Sequence, residues 1–120
     1  MKVNRIVGII PLYQPKKQDF PNILRYINKL DYCFLLDDTG EDNSFLCKEI
    51  VDVNPEKIRY VWNKENIGLC ASVNNGFKLA KERNADWVLI MNPDGTFQND
   101  ALEIYRRFID TQDTSSVAII

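Results

Sequence analysis

Residues 86–97 read DWVLIMNPDGTF, an apolar run that ends in an Asn-Pro-Asp-Gly turn. Continuous apolar character over this length is typical of a strand that is buried on both faces of a parallel sheet. Pro93, Asp94 and Gly95 stand in the order that a type I turn prefers. The stretch therefore predicts a buried strand over Asp86 to Met91, with one carboxylate held in a turn at its carboxyl end.

Working outward, four more segments have strand character, and amphipathic segments of helical spacing separate them. The strands are predicted over Val3 to Ile10, Tyr32 to Leu36, Lys57 to Trp62 and Ser116 to Ile120. The helices are predicted around Phe20 to Leu30, Leu46 to Val51, Leu69 to Ala80 and Leu102 to Ile109. Pro11 is expected to end the first strand because proline cannot donate to a sheet ladder, and Asn99 or Asp100 to cap the last helix.

Strands that alternate with helices predict a mainly parallel sheet with right-handed crossovers. We therefore predict a three-layer α/β/α fold, with residues 1–120 forming one domain. The strands at 3–10 and 86–91 are expected to be neighbours, which gives the strand order 3-2-1-4. The fifth strand would leave an unpaired apolar edge, and such edges favour a homodimer or a swapped segment.

The composition excludes several classes of function. The chain has 120 residues, a net charge of −2 and no histidine, which excludes a Ser-His-Asp triad, a Cys-His pair and a His-ligated zinc site. The chain has no block of basic residues that would suggest nucleic acid as a partner. No apolar run has the length of a membrane span, and Cys33, Cys47 and Cys70 lie in apolar segments. We expect buried, reduced thiols and a cytoplasmic protein.

Polar clusters follow each of the first four predicted strands: Pro11-Leu12-Tyr13, Asp37-Asp38-Thr39, residues 63–68 and residues 92–94. The carboxyl ends of parallel strands meet at one edge of the sheet, where ligands bind in such folds. The four clusters therefore predict a pocket. No Gly-x-Gly-x-x-Gly and no P-loop is present. A phospho-accepting receiver domain is a distant alternative, although it would carry its acidic pair after the first strand.

Four segments, in order, resemble the nucleotide-sugar-binding half of family 2 glycosyltransferases, and in particular their rhamnosyltransferase-like branch. IIPLYQP (9–15) is similar to that family's Pro-Thr-Tyr-Asn-Pro, and LLDDTGED (35–42) to its Val-Asp-Asn-Gly-Ser-x-Asp. NKENIGLCASVNNGFKLA (63–80) keeps Asn66, Gly68, Asn74 and Gly76 of its Asn-x-Gly elements. LIMNPDG (89–95) resembles its Asp-x-Asp metal motif in the Asn-Pro-Asp form.

The resemblance implies the GT-A fold and an inverting transfer from a UDP- or dTDP-sugar to a hydroxyl of a saccharide or lipid-linked acceptor, in polysaccharide biosynthesis. It implies that Asp94 holds Mn²⁺ or Mg²⁺, which Asn92 supports with a neutral oxygen only, so that the metal requirement is weaker. It implies that Asp37 accepts a hydrogen bond from the base, with Asp38 as a helix-side cap. The remaining nucleotide-sugar-binding residues are expected to be Pro11, Leu12, Tyr13, Thr39, Asn66 and Gly68.

Two interpretations stay open for Asn66. Asn66 either faces the phosphates at a helix N-terminus or is a plain cap. Asn74 and Gly76 are expected to serve close packing of the helix on the sheet.

Family members are longer than this chain, so the resemblance implies a shortened form whose general base lies beyond Ile120. The alternative to an enzyme is a sugar-nucleotide-binding module without turnover. We expect the protein in the cytoplasm or at the inner face of the membrane, and we expect no sugar transfer by this chain alone.

Overall fold

Four parallel strands and four α-helices alternate along the chain in a computed structural model, which describes residues 4–98 and 100–119. The elements are β1 (Ile6–Leu12), α1 (Phe20–Leu24), β2 (Tyr32–Asp37), α2 (Ser44–Val51), β3 (Ile58–Trp62), α3 (Leu69–Glu82), β4 (Trp87–Ile90) and α4 (Ala101–Thr111). The prediction of alternating strands and helices is confirmed over this part of the chain.

The strand order is β3-β2-β1-β4, and every pairing is parallel. The predicted neighbours at 3–10 and 86–91 do pair, with Ile6 opposite Trp87 and Ile9 opposite Ile90. In a receiver domain, the first strand lies between the second and the third. Here β1 lies between β2 and β4, so the sheet excludes the receiver alternative.

The prediction that Pro11 ends the first strand is wrong, because β1 continues to Leu12 and pairs with β2 up to Asp37. The Ile9 carbonyl accepts from Met91 N–H on the β4 side. The backbone nitrogen of Pro11, two residues further on, points toward the same edge of β1 as the Ile9 carbonyl. At that level β4 has already ended. Its missing N–H therefore costs no ladder hydrogen bond, and β1 extends into the polar edge of the sheet.

Two other predicted elements are also corrected. Residues 116–119 form no strand; Val117 N–H closes a turn onto the Thr114 carbonyl, and Ile119 is exposed. Ile120 lies outside the described residues, as does Asn99. The argument for a dimer from a fifth strand therefore has no support in residues 116–119. The single helix predicted over residues 20–30 is instead α1, with five residues, between 3-10 turns at 17–19 and 27–29.

Side chains alternate between the two faces of the sheet, so that two helical layers cover it. Ile10, Cys33 and Leu35 face α1, α2 and α4, whereas Ile9 and Phe34 face α3. The three-layer α/β/α prediction is confirmed. The alternation carries past the end of β2, which sends Asp37 toward the α2 face and Asp38 toward the α3 face.

Helix α3 contacts the sheet through its small residues Ser72, Gly76 and Ala80, which are all buried. Close packing is confirmed for Gly76, where an added Cβ would lie 2.8 Å from Ile9 Cγ2. It is wrong for Asn74, which is exposed. Leu69 and Phe77 of α3 are exposed. Cys70 is also exposed, in contrast to the expected burial, whereas Cys33 and Cys47 are buried and free.

Candidate functional site

A cavity of about 520 Å³ opens at the carboxyl ends of β1, β2 and β4. Its volume lies in the range that is usual for small-molecule sites. Many of the residues predicted from the sequence line it together: Pro11, Leu12, Tyr13, Asn66, Asn92 and Asp94. The extension of β1 past β4 supplies Pro11 and Leu12, and the loop after β4 supplies Asn92 and Asp94.

Asp37 lies beneath this cavity and outside its lining, with no exposed surface. Its Oδ1 accepts from Thr39 N–H at 3.1 Å and from Thr39 Oγ1 at 2.5 Å. Its Oδ2 accepts from Asn43 Nδ2 at 2.9 Å and from the Tyr60 hydroxyl at 2.5 Å. A carboxylate offers about four acceptor positions, so none remains for a nucleotide base. The geometry gives Asp37 an internal role in place of the expected contact with a ligand.

Asp38 lines the cavity instead. Its Oδ1 accepts from Ile67 N–H at 2.7 Å and Asn63 Nδ2 at 3.0 Å, and its Oδ2 accepts from Gly68 N–H at 2.9 Å. It therefore ties β2 to the start of α3, as the capping interpretation expected. Burial alone would raise the pKa of Asp38, but these three hydrogen bonds outweigh burial and lower it. The carboxylate stays ionised, with one acceptor position left on Oδ2.

The N-terminus of α3 borders the same cavity. Gly68 caps the helix at φ +91°, a conformation that favours glycine. Its N–H is shared between Asp38 and Asn66 Oδ1, the latter at 3.0 Å, so it has no free donor for a phosphate. The side chain of Asn66 thus closes a local turn while it remains exposed at the cavity. The first intrahelical bond runs from Ser72 N–H to the Gly68 carbonyl, which leaves the N–H groups of residues 69–71 without an intrahelical acceptor.

The Asn-Pro-Asp-Gly turn forms the opposite rim. Gly95 N–H donates to the Asn92 carbonyl at 2.9 Å, and an added Cβ on Gly95 would lie 3.0 Å from Met91 Cε. Asp94 is exposed, and its carboxylate has no hydrogen bond or ion pair with the described residues. Across residues 4–98 and 100–119, no group of three or more Cys, Asp or Glu could hold a metal by itself. A hard cation fits here only with one carboxylate and oxygens from a bound ligand.

Sequence reasoning missed several residues of the cavity. Lys16 and Asp19 come from the loop after β1, and Leu69 and the fully buried Ser72 come from α3. Lys16 is exposed, and its ammonium forms no ion pair or hydrogen bond with any residue that the structure describes. The available signal was a cation only a few residues beyond a strand end. Thr39 was predicted as a binding residue, yet it lies behind the wall of the cavity and not in it.

None of the helices in the described part of the chain has the length and apolar character needed to cross a membrane.

Among solved structures, the chain resembles "Mannosyltransferase PcManGT from Pyrobaculum calidifontis in complex with GDP-Man and Mn2+". The TM-score is 0.65 at 18% sequence identity, over 92% of this chain and 33% of that one. The likeness shows a shared α/β fold, that of a GT-A glycosyltransferase, and this chain spans one third of the length of that protein.

No protein of curated function matches the sequence. Residues 9–120, however, match the family described as "Glycosyl transferase family 2". The chain therefore belongs to glycosyl transferase family 2.

Proposed function

We propose that this chain binds a nucleoside diphosphate sugar together with a divalent cation, as the donor-binding part of an inverting glycosyltransferase. The observation that carries the proposal is the cavity itself. It brings together the carboxylate of Asp94 and the ammonium of Lys16, neither of which is paired within residues 4–98 and 100–119, and the N-terminus of α3. A diphosphate needs this combination, since it carries concentrated negative charge that a cation and N–H donors can neutralise.

At the base end, Asp38 takes the role that the sequence had assigned to Asp37. The remaining acceptor position on Asp38 Oδ2 suits a ring N–H, which uracil and thymine both offer. Tyr13 lines the same cavity, is 58% exposed and presents an aromatic surface on which a base can stack. UDP- and dTDP-sugars are therefore the proposed ligands. Guanine also offers a ring N–H, and the similar mannosyltransferase is described with GDP-Man.

At the phosphate end, Asp94 would hold Mn²⁺ or Mg²⁺, and Asn92 would contribute its neutral oxygen. The cation would supply charge neutralisation for the leaving diphosphate when it is bound. Lys16, which lines the same cavity, would add a second positive charge. The N–H groups of residues 69–71 would donate to phosphate oxygens, where the dipole of α3 favours negative charge. Because Asn92 brings no charge, one carboxylate alone would anchor the cation.

Sugar transfer needs an acceptor site and a general base, and we place both in residues beyond this chain. We propose a saccharide or lipid-linked acceptor, a rhamnosyl-type sugar, and a role in polysaccharide biosynthesis in the cytoplasm or at the inner face of the membrane. Alone, the chain is expected to bind the sugar nucleotide without transferring the sugar.

Thermal unfolding with UDP, dTDP or GDP, each with and without Mn²⁺, tests the proposal. A ligand at a hundred times its Kd stabilises the native state by about 2.7 kcal/mol. Asp94→Ala should abolish the Mn²⁺-dependent part of the shift and leave the unliganded protein nearly as stable, because Asp94 is exposed. Asn92→Asp should enlarge that part, since it adds a carboxylate. Asp38→Asn should weaken binding with or without Mn²⁺.

Glu56→Ala is the matched control, because it removes an exposed carboxylate outside the cavity. Its response to nucleotide and Mn²⁺ should equal that of the wild type. An unchanged Mn²⁺ response in Asp94→Ala, or the absence of a shift with any of the three nucleotides, would refute the proposed function.

A further inference from the structure

A buried hydrogen-bond network supports the wall of the cavity that residues 13–16 form. Gln14 N–H donates to Thr39 Oγ1 at 2.7 Å, and Thr39 Oγ1 in turn donates to Asp37 Oδ1. Gln14 adopts φ +47°, a left-handed conformation that is disfavoured for residues with a Cβ. The hydrogen bond that Gln14 N–H donates to Thr39 therefore holds the loop in a conformation that the loop's own sequence does not favour.

Thr39 is itself fixed from several directions. Its N–H also donates to Asp37, and its carbonyl accepts from Trp62 Nε1 at 2.8 Å. Asp37 is held on its other oxygen by Asn43 and Tyr60. Thr39 is 8% exposed and Asp37 has no exposed surface, so water competes little for these bonds. The position of Gln14 therefore depends on contacts with β2, β3 and the start of α2, and not on the loop alone.

We propose that Thr39 is a positioning residue, which Asp37 orients and which presents Tyr13 and Lys16 to the ligand. The inference rests on the proposed function, since it assigns the role of the wall in binding a nucleoside diphosphate. Neither Thr39 nor Asp37 touches the ligand. Their contribution to binding is that the wall is already ordered before the ligand arrives, which reduces the ordering that binding requires.

Thr39→Val and Thr39→Ser separate this role from a general effect on stability. Valine keeps the shape of threonine but loses Oγ1, whereas serine keeps Oγ1. In Thr39→Val, amide hydrogen exchange at Gln14 should accelerate, and the Kd for UDP with Mn²⁺ should rise, each by about fivefold for one hydrogen bond. Thr39→Ser should retain both wild-type values. Both quantities are measured at a temperature where each variant is fully folded.

Tyr32→Phe is the matched control. It removes the hydrogen bond that the Tyr32 hydroxyl accepts from Arg83 Nη2 at 2.8 Å, and it leaves the bonds among Gln14, Thr39 and Asp37 in place. It should lower the Tm while exchange at Gln14 and the Kd stay unchanged. If Thr39→Val behaves like Tyr32→Phe, with a lower Tm alone, the positioning role is refuted.

The two proposals fail in different ways. If the wild-type chain binds no nucleotide, the proposed function is refuted. Amide hydrogen exchange at Gln14 then decides whether Thr39 orders the wall. Faster exchange in Thr39→Val supports that role, and unchanged exchange refutes it. If the wild type binds nucleotide but Thr39→Val does so with the same Kd, only the inference is refuted.

Discussion

Replacement of Gly76 by alanine tests how closely α3 packs on the sheet. The new Cβ would lie 2.8 Å from Ile9 Cγ2 and 2.8 Å from Leu36 Cδ1. Both side chains are buried in the centre of the sheet, at 0% and 1% exposure, so neither can move aside into solvent. Overpacking of this kind costs about 1–3 kcal/mol. Two enclosed side chains clash with the new Cβ at once, so the upper part of this range, about 2–3 kcal/mol, applies. Alanine recovers about 1 kcal/mol of helix propensity, so we expect a net loss of about 1–2 kcal/mol.

Urea denaturation followed by circular dichroism measures this loss as a lower midpoint at an unchanged slope. Asn74→Ala is the control on the same helix, where the side chain is exposed. It should stabilise the protein by about 0.5 kcal/mol, since only helix propensity changes. If Gly76→Ala is as stable as the wild type while Asn74→Ala behaves as expected, α3 can move away from the sheet at no cost, and the packing argument is refuted.

Two further predictions concern charge and the thiols. Lys16→Gln should weaken binding of UDP by about fivefold, or about 1 kcal/mol, and should reduce the salt dependence of binding measured by calorimetry. Lys17→Gln is the control, because Lys17 is exposed outside the cavity, and it should change neither the affinity nor the salt dependence. Equal effects of the two substitutions would contradict a specific role for Lys16. Burial raises the pKa of Cys33 and of Cys47 to about 12, so at pH 8 only Cys70 should react with a thiol reagent in the folded protein. Because the unfolded thiols ionise from about pH 8.5, the free energy of unfolding should fall as the pH rises from there toward 12. Rapid reaction of all three thiols in the absence of urea would contradict the burial of Cys33 and Cys47.

The sequence was sufficient for a parallel sheet with its polar clusters at one edge, because strands alternate with helices and each apolar run ends in a polar cluster. These clusters do not select the strand order, since every parallel order brings them to the same edge. The sequence was insufficient for Pro11. Whether a missing N–H matters there depends on where β4 ends, which is a property of the neighbouring strand and not of β1. The fifth strand failed for the same reason, since apolar β-branched residues form a strand only where a partner strand is available.

The helix faces and the acidic pair show a second limit. The amphipathic spacing of α3 does not show which of its residues meet the sheet. Leu69 and Phe77 are exposed, because a helix that approaches a sheet closely requires small residues there. To predict which of Asp37 and Asp38 lines the cavity, one must know which face of the sheet carries α3. The preceding Leu35 and Leu36 are both buried, so the local pattern of apolar residues holds no information on that choice.

The opposite orientation of Asp37 and Asp38 has a consequence for how this site tolerates changes in chain length. A deletion of one residue within β2 would move Asp38 into the enclosed position and Asp37 into the position of Leu36, so that Thr39 would take the open position beside the ligand. The enclosed position has donors for all four acceptor sites, and the open one relies on the amides before α3. An acidic pair grafted onto another parallel sheet must therefore match both the parity of the strand and the distance of the pair from the strand end.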